Sequence, residues 1–281
     1  MVLGYKQKKI AFKFILYIIL IFIALIFIFP FIMMVLSSFK FNEDVLAIPV
    51  KIIPPRWNWG SYRSAFTYAD YDFARYFVNS TIVVVFAVAM CIFLSSTAGY
   101  GFAKYRFKGN ALLFGVVLST IMIPFEVILV PLFLLVRKFG MQNTYMGLII
   151  PQALTAFGVF MMRQFFYSMP KELLESARID GANEYVTFFR ISLPIARTAV
   201  LALVIFHAQY VWNMLIWPLI IISKPDLRTL PQAIALFSGV YYTPYPEQLA
   251  ISVVSCLPLL VLYLFLSKYF VQGITMTGLK G

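Results

Sequence analysis

The longest apolar segment lies close to the start of the chain. Residues 14–36 read FILYIILIFIALIFIFPFIMMVL, with no charged side chain. A helix of about 20 residues crosses the hydrocarbon core of a bilayer, where nothing else can satisfy a free backbone N–H or C=O. The segment is too long for the apolar part of a signal peptide, and no small-residue cleavage site follows it. We therefore expect it to remain in the protein as a membrane-spanning helix.

Similar apolar segments recur along the chain, in which 62% of the residues are hydrophobic and 12% are charged. A soluble domain has about 25% charged residues. The pattern predicts an all-α polytopic membrane protein in which residues 1–281 form a single transmembrane domain. The six predicted spans are 14–36, 77–100, 111–136, 145–166, 195–222 and 249–270. Prolines interrupt the third span (Pro124, Pro131) and the fourth (Pro151), which predicts kinks there.

The distribution of Lys and Arg predicts the orientation of these spans. The two termini, residues 101–110 and residues 163–197 together carry 14 of the 23 cations. Five of the remaining nine cations belong to one long loop, residues 37–76. The cations of the short loops therefore determine the predicted orientation. The positive-inside rule then places both termini in the cytoplasm. Outside, we expect a short helix over 61–76 on the outer leaflet and three interfacial aromatic anchors, Trp57, Trp59 and Tyr62.

Several function classes lack the residues that they need. The net charge is +12, but the cations are scattered singly and form no stripe interleaved with aromatic residues, so nucleic-acid binding is not predicted. Cys91 and Cys256 lie in apolar runs and are expected to be small buried side chains, not a disulfide. One histidine and two separated cysteines do not predict a metal site. With no GxxxxGK[ST] phosphate loop and no nucleophile–base group, we predict no enzyme and no cofactor in this chain.

A charged segment, ELLESARIDGANEYVTFFRISLP (172–194), interrupts the apolar pattern. After Pro170, its spacing predicts a helix with Leu173, Leu174 and Ala177 on one face. Glu172 and Glu175 should face water. The pair Asp180-Gly181 should end this helix, because glycine readily adopts the left-handed conformation found at helix C-termini.

A second helix, roughly 183–191, should follow and end at Pro194. It would present three aromatic side chains that the rest of the chain need not cover: Tyr185, Phe188 and Phe189. The residues alone leave two interpretations open. The segment is either a helix–turn–helix that docks on a partner or an amphipathic loop lying on the inner leaflet.

The charged segment also resembles the EAA signature of bacterial ABC importer permeases, E-A-A-x-x-x-G-x(9)-I-x-L-P. The matching positions are Glu175, Ala177, Gly181, Ile191, Leu193 and Pro194, with Ser176 where the family usually has Ala. The resemblance implies that residues 167–194 form a cytoplasmic coupling loop that docks on an ATPase subunit. It implies a polar contact for Glu175, and Gly181, between Asp180 and Ala182, would hold the turn.

Further segments resemble the carbohydrate-importer branch of these permeases, among them AGYGFAKYRFKG (98–109), MIPFEVILVPLFLL (122–135) and WNMLIWPL (212–219). They imply the smaller, six-span subunit of a heterodimeric permease of the maltose/oligosaccharide type in a bacterial cytoplasmic membrane. The implied partners are a second homologous permease, an extracytoplasmic solute-binding protein, and a dimer of cytoplasmic ATP-binding subunits that holds ATP and Mg²⁺. The implied substrate is a carbohydrate.

The alternative is a stand-alone secondary transporter, which should show internal repeats and paired membrane acids. No clear repeat is present, and Glu126 is the only acid inside a predicted span. A membrane-embedded enzyme would need a catalytic group. A purely structural membrane protein would not need polar groups at depth in two spans.

Polar side chains within the spans are candidates for the transport pathway, because a charge at the centre of a membrane helix costs about 2.5–3.5 kcal/mol on insertion scales. Glu126 should lie in the outer half of the third span, either contacting a sugar hydroxyl or tying helices together. The fifth span carries HAQYVWN, in which Gln209 and Asn213 share a face. For His207 we expect an interhelical hydrogen bond. The candidates for substrate contact are Glu126, Gln209, Tyr210, Trp212, Asn213, Asn79 and Ser80.

Overall fold

A computed structural model describes residues 5–67, 72–236 and 243–278, and all regular structure within these ranges is helical. The α-helices are α1 (Tyr5–Ser38), α2 (Asn42–Val45), α3 (Gly60–Phe66), α4 (Phe73–Lys104), α5 (Asn110–Thr120), α6 (Phe125–Lys138), α7 (Tyr145–Ile149), α8 (Ala156–Ser168), α9 (Lys171–Ile179), α10 (Glu184–Val186), α11 (Leu193–Ile195), α12 (Arg197–Trp212), α13 (Ile216–Ile221), α14 (Leu230–Leu236) and α15 (Tyr245–Gly278). Two 3₁₀ turns, Ile150–Gln152 and Pro225–Leu227, and a π-helical segment, Thr187–Ser192, complete the described structure.

Within the described residues, three helices are long and apolar enough to cross a membrane, namely Phe12–Ser38, Phe73–Lys104 and Tyr245–Ser267. Three further helix pairs are apolar enough together but are bent, so the number of spans rises to six if each pair is one span. Helices α5 and α6 meet at an angle of 100°, and the break between them ends with Pro124. The helical segment Tyr145–Gln152 meets α8 at an angle of 44°, just after Pro151. The first break includes Pro124, and the second begins two residues after Pro151, so each lies at or close to a proline for which the sequence predicts a kink.

The fifth predicted span, 195–222, is not one continuous helix. Its first helix, α12, begins after a 73° bend at Ala196 and ends at Trp212. A second helix, α13, starts at Ile216, so a break separates the two. Pro218 explains the second break. A proline ring clashes with the carbonyl four residues earlier and supplies no N–H, so a helix through Met214 and Pro218 would be destabilised.

The chain forms two compact units. The first takes its described residues from Met1–Tyr71 and Leu236–Ser255. In it, the Phe39 ring packs against three aromatic rings at centroid distances of 4.9–5.7 Å: Trp57, Trp59 and Tyr62. The Ser64 hydroxyl donates to the Glu247 carboxylate at 3.2 Å. The helix predicted over 61–76 is shorter than expected, since α3 ends at Phe66 and Phe73 already belongs to α4; residues 68–71 lie outside the described part.

The second unit takes its described residues from Asp72–Ala235 and Cys256–Gly281, and α4, α8 and α12 form its core. Small residues allow α4 and α8 to approach closely. A Cβ added to Gly99 would lie 2.7 Å from the backbone N of Arg163, and one added to Gly158 would lie 2.5 Å from the Ser95 hydroxyl oxygen. Such small-residue crossings are typical of membrane helix interfaces, where close backbone packing replaces the hydrophobic effect as the source of stability.

The two cysteines differ in their surroundings. Cys91 is buried at this crossing, as expected, with its Sγ 3.6 Å from the Ser95 hydroxyl. Cys256 is exposed, so the prediction that it is buried was wrong. An apolar run does not distinguish a side chain that packs inside the chain from one that faces lipid or another subunit.

The two ends of α4 meet different loops. At its C-terminal end, the Lys104 ammonium donates to the Met169 carbonyl at 2.8 Å, so the segments 101–110 and 163–197 lie at the same end of the helix. At its N-terminal end, the Asn79 amide donates to the carbonyls of Asp226 and Arg228, both at 2.9 Å. The charge pattern predicts the same grouping, with residues 101–110 and 163–197 on one side of the membrane and the loop that contains Asp226 and Arg228 on the other.

Candidate functional site

The turn between α9 and α10 is closed by its own backbone. Gly181 has a φ of +83°, the left-handed conformation that glycine was expected to supply. The Ala182 N–H donates to the Ala177 carbonyl at 2.9 Å, and the Gly181 N–H donates to the Arg178 carbonyl at 3.1 Å. This pair of hydrogen bonds is the Schellman motif, which satisfies carbonyls at a helix C-terminus. We call residues 178–184 the docking turn.

The next helix starts with a side-chain cap. The Asn183 carboxamide oxygen accepts from the Val186 N–H at 2.9 Å, which satisfies one of the free donors at the helix N-terminus. An ion pair then crosses the turn, with the Arg178 guanidinium 2.9 Å from the Glu184 carboxylate. The Tyr105 hydroxyl donates to the other oxygen of Glu184 at 2.6 Å. The docking turn is therefore held by an ion pair between its first and last residues and by a hydrogen bond from Tyr105, which follows α4.

Tyr105 keeps its proton in this arrangement. Desolvation first, and then the neighbouring carboxylate of Glu184, raise the pKa of Tyr105 to about 12. The phenol is thus a hydrogen-bond donor throughout the physiological range. Sequence reasoning missed the contacts of Arg178, Glu184 and Tyr105, because they depend on how the end of α4 meets the loop.

Two apolar side chains project from the docking turn and its flank. Ile179 is 86% exposed and Tyr185 is 78% exposed, although both lie within the charged segment 172–194. Glu175, Asp180 and Gly181 are exposed beside them. Aromatic side chains are enriched at protein–protein interfaces, so Tyr185, together with Ile179, is a candidate for contact with another protein.

Not every predicted coupling residue lies at the tip. Ala177 is buried beneath the turn, and Ala182 is half-buried. Leu193 packs at the edge of the core formed by α4, α8 and α12. Ile191 lies in the π-helical segment, and Pro194 lies in α11. The structure therefore separates an exposed tip from a set of supporting residues.

The prediction that Phe188 is presented to a partner was wrong. Its side chain is only 7% exposed, and its ring lies 5.1 Å from that of Tyr100 and 6.3 Å from that of Phe166. Burial against these rings is favourable, because aromatic side chains remove large apolar areas from water. Tyr185 and Phe189 remain exposed.

Pro194 does not end the second helix where expected. The helical path continues through the π-helical segment to Ile195 and breaks at Ala196. Proline lacks the N–H that an α-helix would need at this position, and the wider π-helical turn before it accommodates that loss.

The transport-pathway candidates divide into exposed and buried side chains. Four of them are exposed and belong to α6 or to the end of α12: Glu126, Gln209, Tyr210 and Asn213. We call these four the pathway group. The charge of the Glu126 carboxylate, on α6, acts on the Tyr210 hydroxyl, on α12. Glu126 occupies the first turn of α6, where the helix dipole favours a carboxylate.

Asn213 sits where α12 ends. Its side-chain amide donates to the Gln209 carbonyl at 2.9 Å, and the same carbonyl also accepts the backbone N–H of Asn213 at 3.2 Å. The break thus leaves polar atoms beside an apolar span, near the exposed side chains of Gln209 and Tyr210. A polar surface of this kind can hydrogen-bond the hydroxyl groups of a sugar.

The side chains of the remaining three candidates pack against, or hydrogen-bond to, other residues of the chain. The Trp212 ring is 4% exposed and meets the edge of the Phe77 ring at 5.5 Å. Both ends of the Asn79 amide are occupied, because its oxygen accepts from the Tyr145 hydroxyl at 2.6 Å in addition to the two carbonyls that it contacts. The Ser80 hydroxyl accepts from the Leu230 N–H at 2.7 Å. We therefore leave these three side chains out of the pathway group.

His207 forms the interhelical hydrogen bond that the sequence analysis expected. Its Nε2 lies 2.8 Å from the Gln152 carbonyl, and the side chain is buried. Within the described ranges, no three His, Cys, Asp or Glu side chains come together in a way that could hold a metal ion.

Comparison with known proteins places these features in context. Residues 92–276 match the family described as binding-protein-dependent transport system inner membrane component. The chain is 36% identical over 262 residues to the arabinooligosaccharides transport system permease protein AraQ of Halalkalibacterium halodurans, covering 92% of this chain and 94% of that protein. It is 34% identical over 244 residues to the diacetylchitobiose uptake system permease protein NgcG of Streptomyces coelicolor, covering 85% and 80% respectively.

A solved structure shares the fold. It is the crystal structure of a bacterial ABC transporter involved in the import of the acidic polysaccharide alginate, and a chain of it superposes with a TM-score of 0.82. The match covers 96% of this chain and 100% of that chain at 22% identity. At this identity the likeness supports the fold alone.

Proposed function

Since the chain belongs to the family of inner membrane components of binding-protein-dependent transport systems, and is thus an ABC importer permease and not an enzyme itself, we propose that it carries an oligosaccharide into a bacterial cell. Names of relatives support this substrate class, since they specify arabino-oligosaccharides and diacetylchitobiose. The pathway group adds chemistry suited to it. Amide, phenol and carboxylate groups can hydrogen-bond sugar hydroxyls, and an aromatic ring can pack against the C–H face of a sugar.

The proposed assembly has four kinds of subunit. This chain pairs with a second, homologous permease, and a solute-binding protein delivers the sugar from outside. A dimer of cytoplasmic ATPase subunits binds ATP and Mg²⁺, so this chain itself needs no cofactor. Both termini and the coupling loop 167–194 then lie in the cytoplasm, as the positive-inside rule predicts.

The observation that carries the proposal is the docking turn. Its Schellman motif at Gly181 and its ion pair hold the exposed side chains of Ile179 and Tyr185 in place without help from a partner. We propose that these side chains enter a groove on the ATPase subunit. When ATP draws the two ATPase subunits together, the docking turns of the two permeases follow, and the pathway opens outward to receive the sugar.

The test is co-purification of the tagged chain from its host in mild detergent, with the Gly181→Asp variant beside the wild type. A matched control is Gly140→Asp, because Gly140 also has a left-handed backbone (φ +69°) and open space around its Cβ position but lies outside the docking turn. We expect the wild type and Gly140→Asp to retain an ATPase subunit and a second permease. Gly181→Asp should retain the second permease and lose the ATPase.

Two results would contradict the proposal. If the wild type is isolated alone and intact, the chain does not work as part of a multi-subunit importer. If both glycine variants lose the ATPase equally, the loss reports general backbone strain and not the docking turn. Uptake of labelled arabino-oligosaccharide by cells carrying the complete system tests the substrate class separately.

A further inference from the structure

A shallow, widely open cleft of about 480 Å³ lies where the charged segment turns into the fifth span. It is lined by Arg190, Ile191, Pro194, Ile195 and Arg197. The helix over Glu184–Ile195 meets α12 here at an angle of 73°, and that bend creates the space. We call it the arginine cleft.

The cleft presents two cations without an acidic partner. Arg190 and Arg197 are exposed, and across the described ranges neither guanidinium is within ion-pair distance of an Asp or Glu carboxylate. Arg178, by contrast, is engaged by Glu184. Guanidinium groups bind phosphate and carboxylate with two parallel hydrogen bonds each, so two of them lining one cleft favour an anion with several oxygens.

The backbone adds to the positive field. Arg197 is the first residue of α12, and Ala196 before it has no side chain that could cap the helix. The free N–H groups at this end of a 16-residue helix carry a partial positive charge. This contribution supports the two arginines and does not replace them.

The rest of the cleft is apolar. Ile191, Pro194 and Ile195 form its wall, and Ile195 is 44% exposed. A soluble anion gains nothing from such a wall, whereas an amphiphile can place its charged head between the arginines and a hydrocarbon chain along the isoleucines. The cleft also lies at the start of an apolar span, where cations meet the headgroups of a bilayer.

We propose that the arginine cleft binds one anionic phospholipid, with its phosphate between Arg190 and Arg197. One acyl chain lies along Ile191, Pro194 and Ile195 and continues beside α12. The site rests on the proposed position of α12 in the membrane but not on the identity of the sugar. A lipid held there would fix the root of the coupling loop to the bilayer surface.

The experiment uses the complete transporter in nanodiscs made with a 1:3 mixture of phosphatidylglycerol and phosphatidylcholine that have identical acyl chains. Native mass spectrometry after transfer to detergent counts the lipids that stay bound. The variant is Arg190→Gln/Arg197→Gln. The matched control is Arg106→Gln/Lys108→Gln, which removes two exposed cations from a loop at the same end of α4.

We expect the wild type and the control to retain phosphatidylglycerol in preference to phosphatidylcholine. Two surface cations each contribute about 1 kcal/mol to the binding of an anionic lipid, so the double variant should lower that preference roughly 10- to 30-fold. The variant Arg190→Lys/Arg197→Lys should recover part of it, since lysine keeps the charge but not the two-pronged geometry. Inorganic phosphate at millimolar concentration should not displace the lipid.

Three results would overturn the proposal. The first is a wild type that shows no preference between the two lipids, a measurement that needs no variant. The second is complete displacement by inorganic phosphate, which would make the cleft a site for a soluble anion. The third is a double variant that keeps its phosphatidylglycerol but loses the ATPase, which would assign the arginines to the subunit interface. Gly181→Asp separates the two proposals, because it should lose the ATPase and keep the lipid.

Discussion

Arg178 and Glu184 form an ion pair of 2.9 Å across the docking turn, and the same carboxylate accepts a hydrogen bond from Tyr105 at 2.6 Å. The three residues come from the end of α9, the start of α10 and the end of α4. These two contacts connect the docking turn to the end of α4, the longest helix of the second unit. Changes at these positions should alter docking more than they alter stability.

Glu184→Gln should weaken the retention of the ATPase several-fold while lowering the free energy of unfolding by less than about 1 kcal/mol, because both partners of the ion pair are close to half exposed. The measurements are the dissociation constant of the purified ATPase for the permease and thermal unfolding in detergent. The exchanged pair Arg178→Glu/Glu184→Arg should restore part of the affinity. If the exchange binds no better than either single variant, the ion pair does not position the turn.

Tyr105 predicts a decline in stability at alkaline pH. Its pKa is about 12 in the folded protein against 10 for a free phenol, so the unfolded chain loses the proton first as the pH rises. The stabilising contribution is complete below pH 10 and is lost progressively up to about pH 12. Thermal unfolding at several pH values should show this decline in the wild type and a smaller one in Tyr105→Phe. Equal declines would assign the effect to other tyrosines.

Ile179→Asp and Tyr185→Asp should each prevent association with the ATPase without lowering the melting temperature, since neither side chain is packed within the chain. Truncation of a buried interface anchor commonly costs 2 kcal/mol or more, roughly a 30-fold loss of affinity. Co-purification and thermal unfolding test the two halves of the prediction. Ile48→Asp is the control, because Ile48 is 95% exposed but belongs to the other unit.

Glu126→Gln should raise the KM for sugar uptake about tenfold if the carboxylate bonds a sugar hydroxyl, because a hydrogen bond to a charged group contributes about 1.5–3 kcal/mol. Tyr210→Phe should act in the same direction, since its phenol also belongs to the pathway group. Uptake kinetics and co-purification of the second permease separate the alternatives. Loss of that subunit with an unchanged KM would make Glu126 a tie between helices.

Gly99→Ala should destabilise the protein by about 1–3 kcal/mol, because the added methyl group would overlap the backbone of α8 where nothing flexible can move aside. Gly101→Ala, two residues later in α4, meets no atom within 4 Å and should be neutral or stabilising by about 0.5–1 kcal/mol. Thermal unfolding of both variants in the same detergent measures the difference. Equal melting temperatures would mean that α4 and α8 do not cross as closely as described.

The parts predicted well from the sequence are those that depend on local chemistry. The apolar length of α1 required a spanning helix, and the pair Asp180-Gly181 required a left-handed turn, which the φ of Gly181 confirms. The prolines at 124 and 151 located the breaks in two spans. Each of these results follows from a short stretch of backbone and needs no knowledge of neighbouring helices.

The parts predicted poorly depend on what each side chain packs against. Asn79 and Trp212 are polar groups in apolar spans, just like Gln209, but a loop and another helix cover them. Phe188 lies three residues after Tyr185 in the same charged segment and yet is buried. Periodicity indicates which residues share a face; it does not indicate whether the chain itself or a second subunit covers that face.

The closed backbone of the docking turn also has a kinetic consequence. Fixing the backbone of one residue costs about 1–2 kcal/mol of conformational entropy, and the hydrogen bonds at Gly181 and Asn183 have already fixed residues 178–184 before any encounter. Association should therefore proceed at a rate governed by collision and orientation, without a slow folding step on the permease side. With the ATPase in excess, the observed rate of association should then rise linearly with its concentration and reach no plateau.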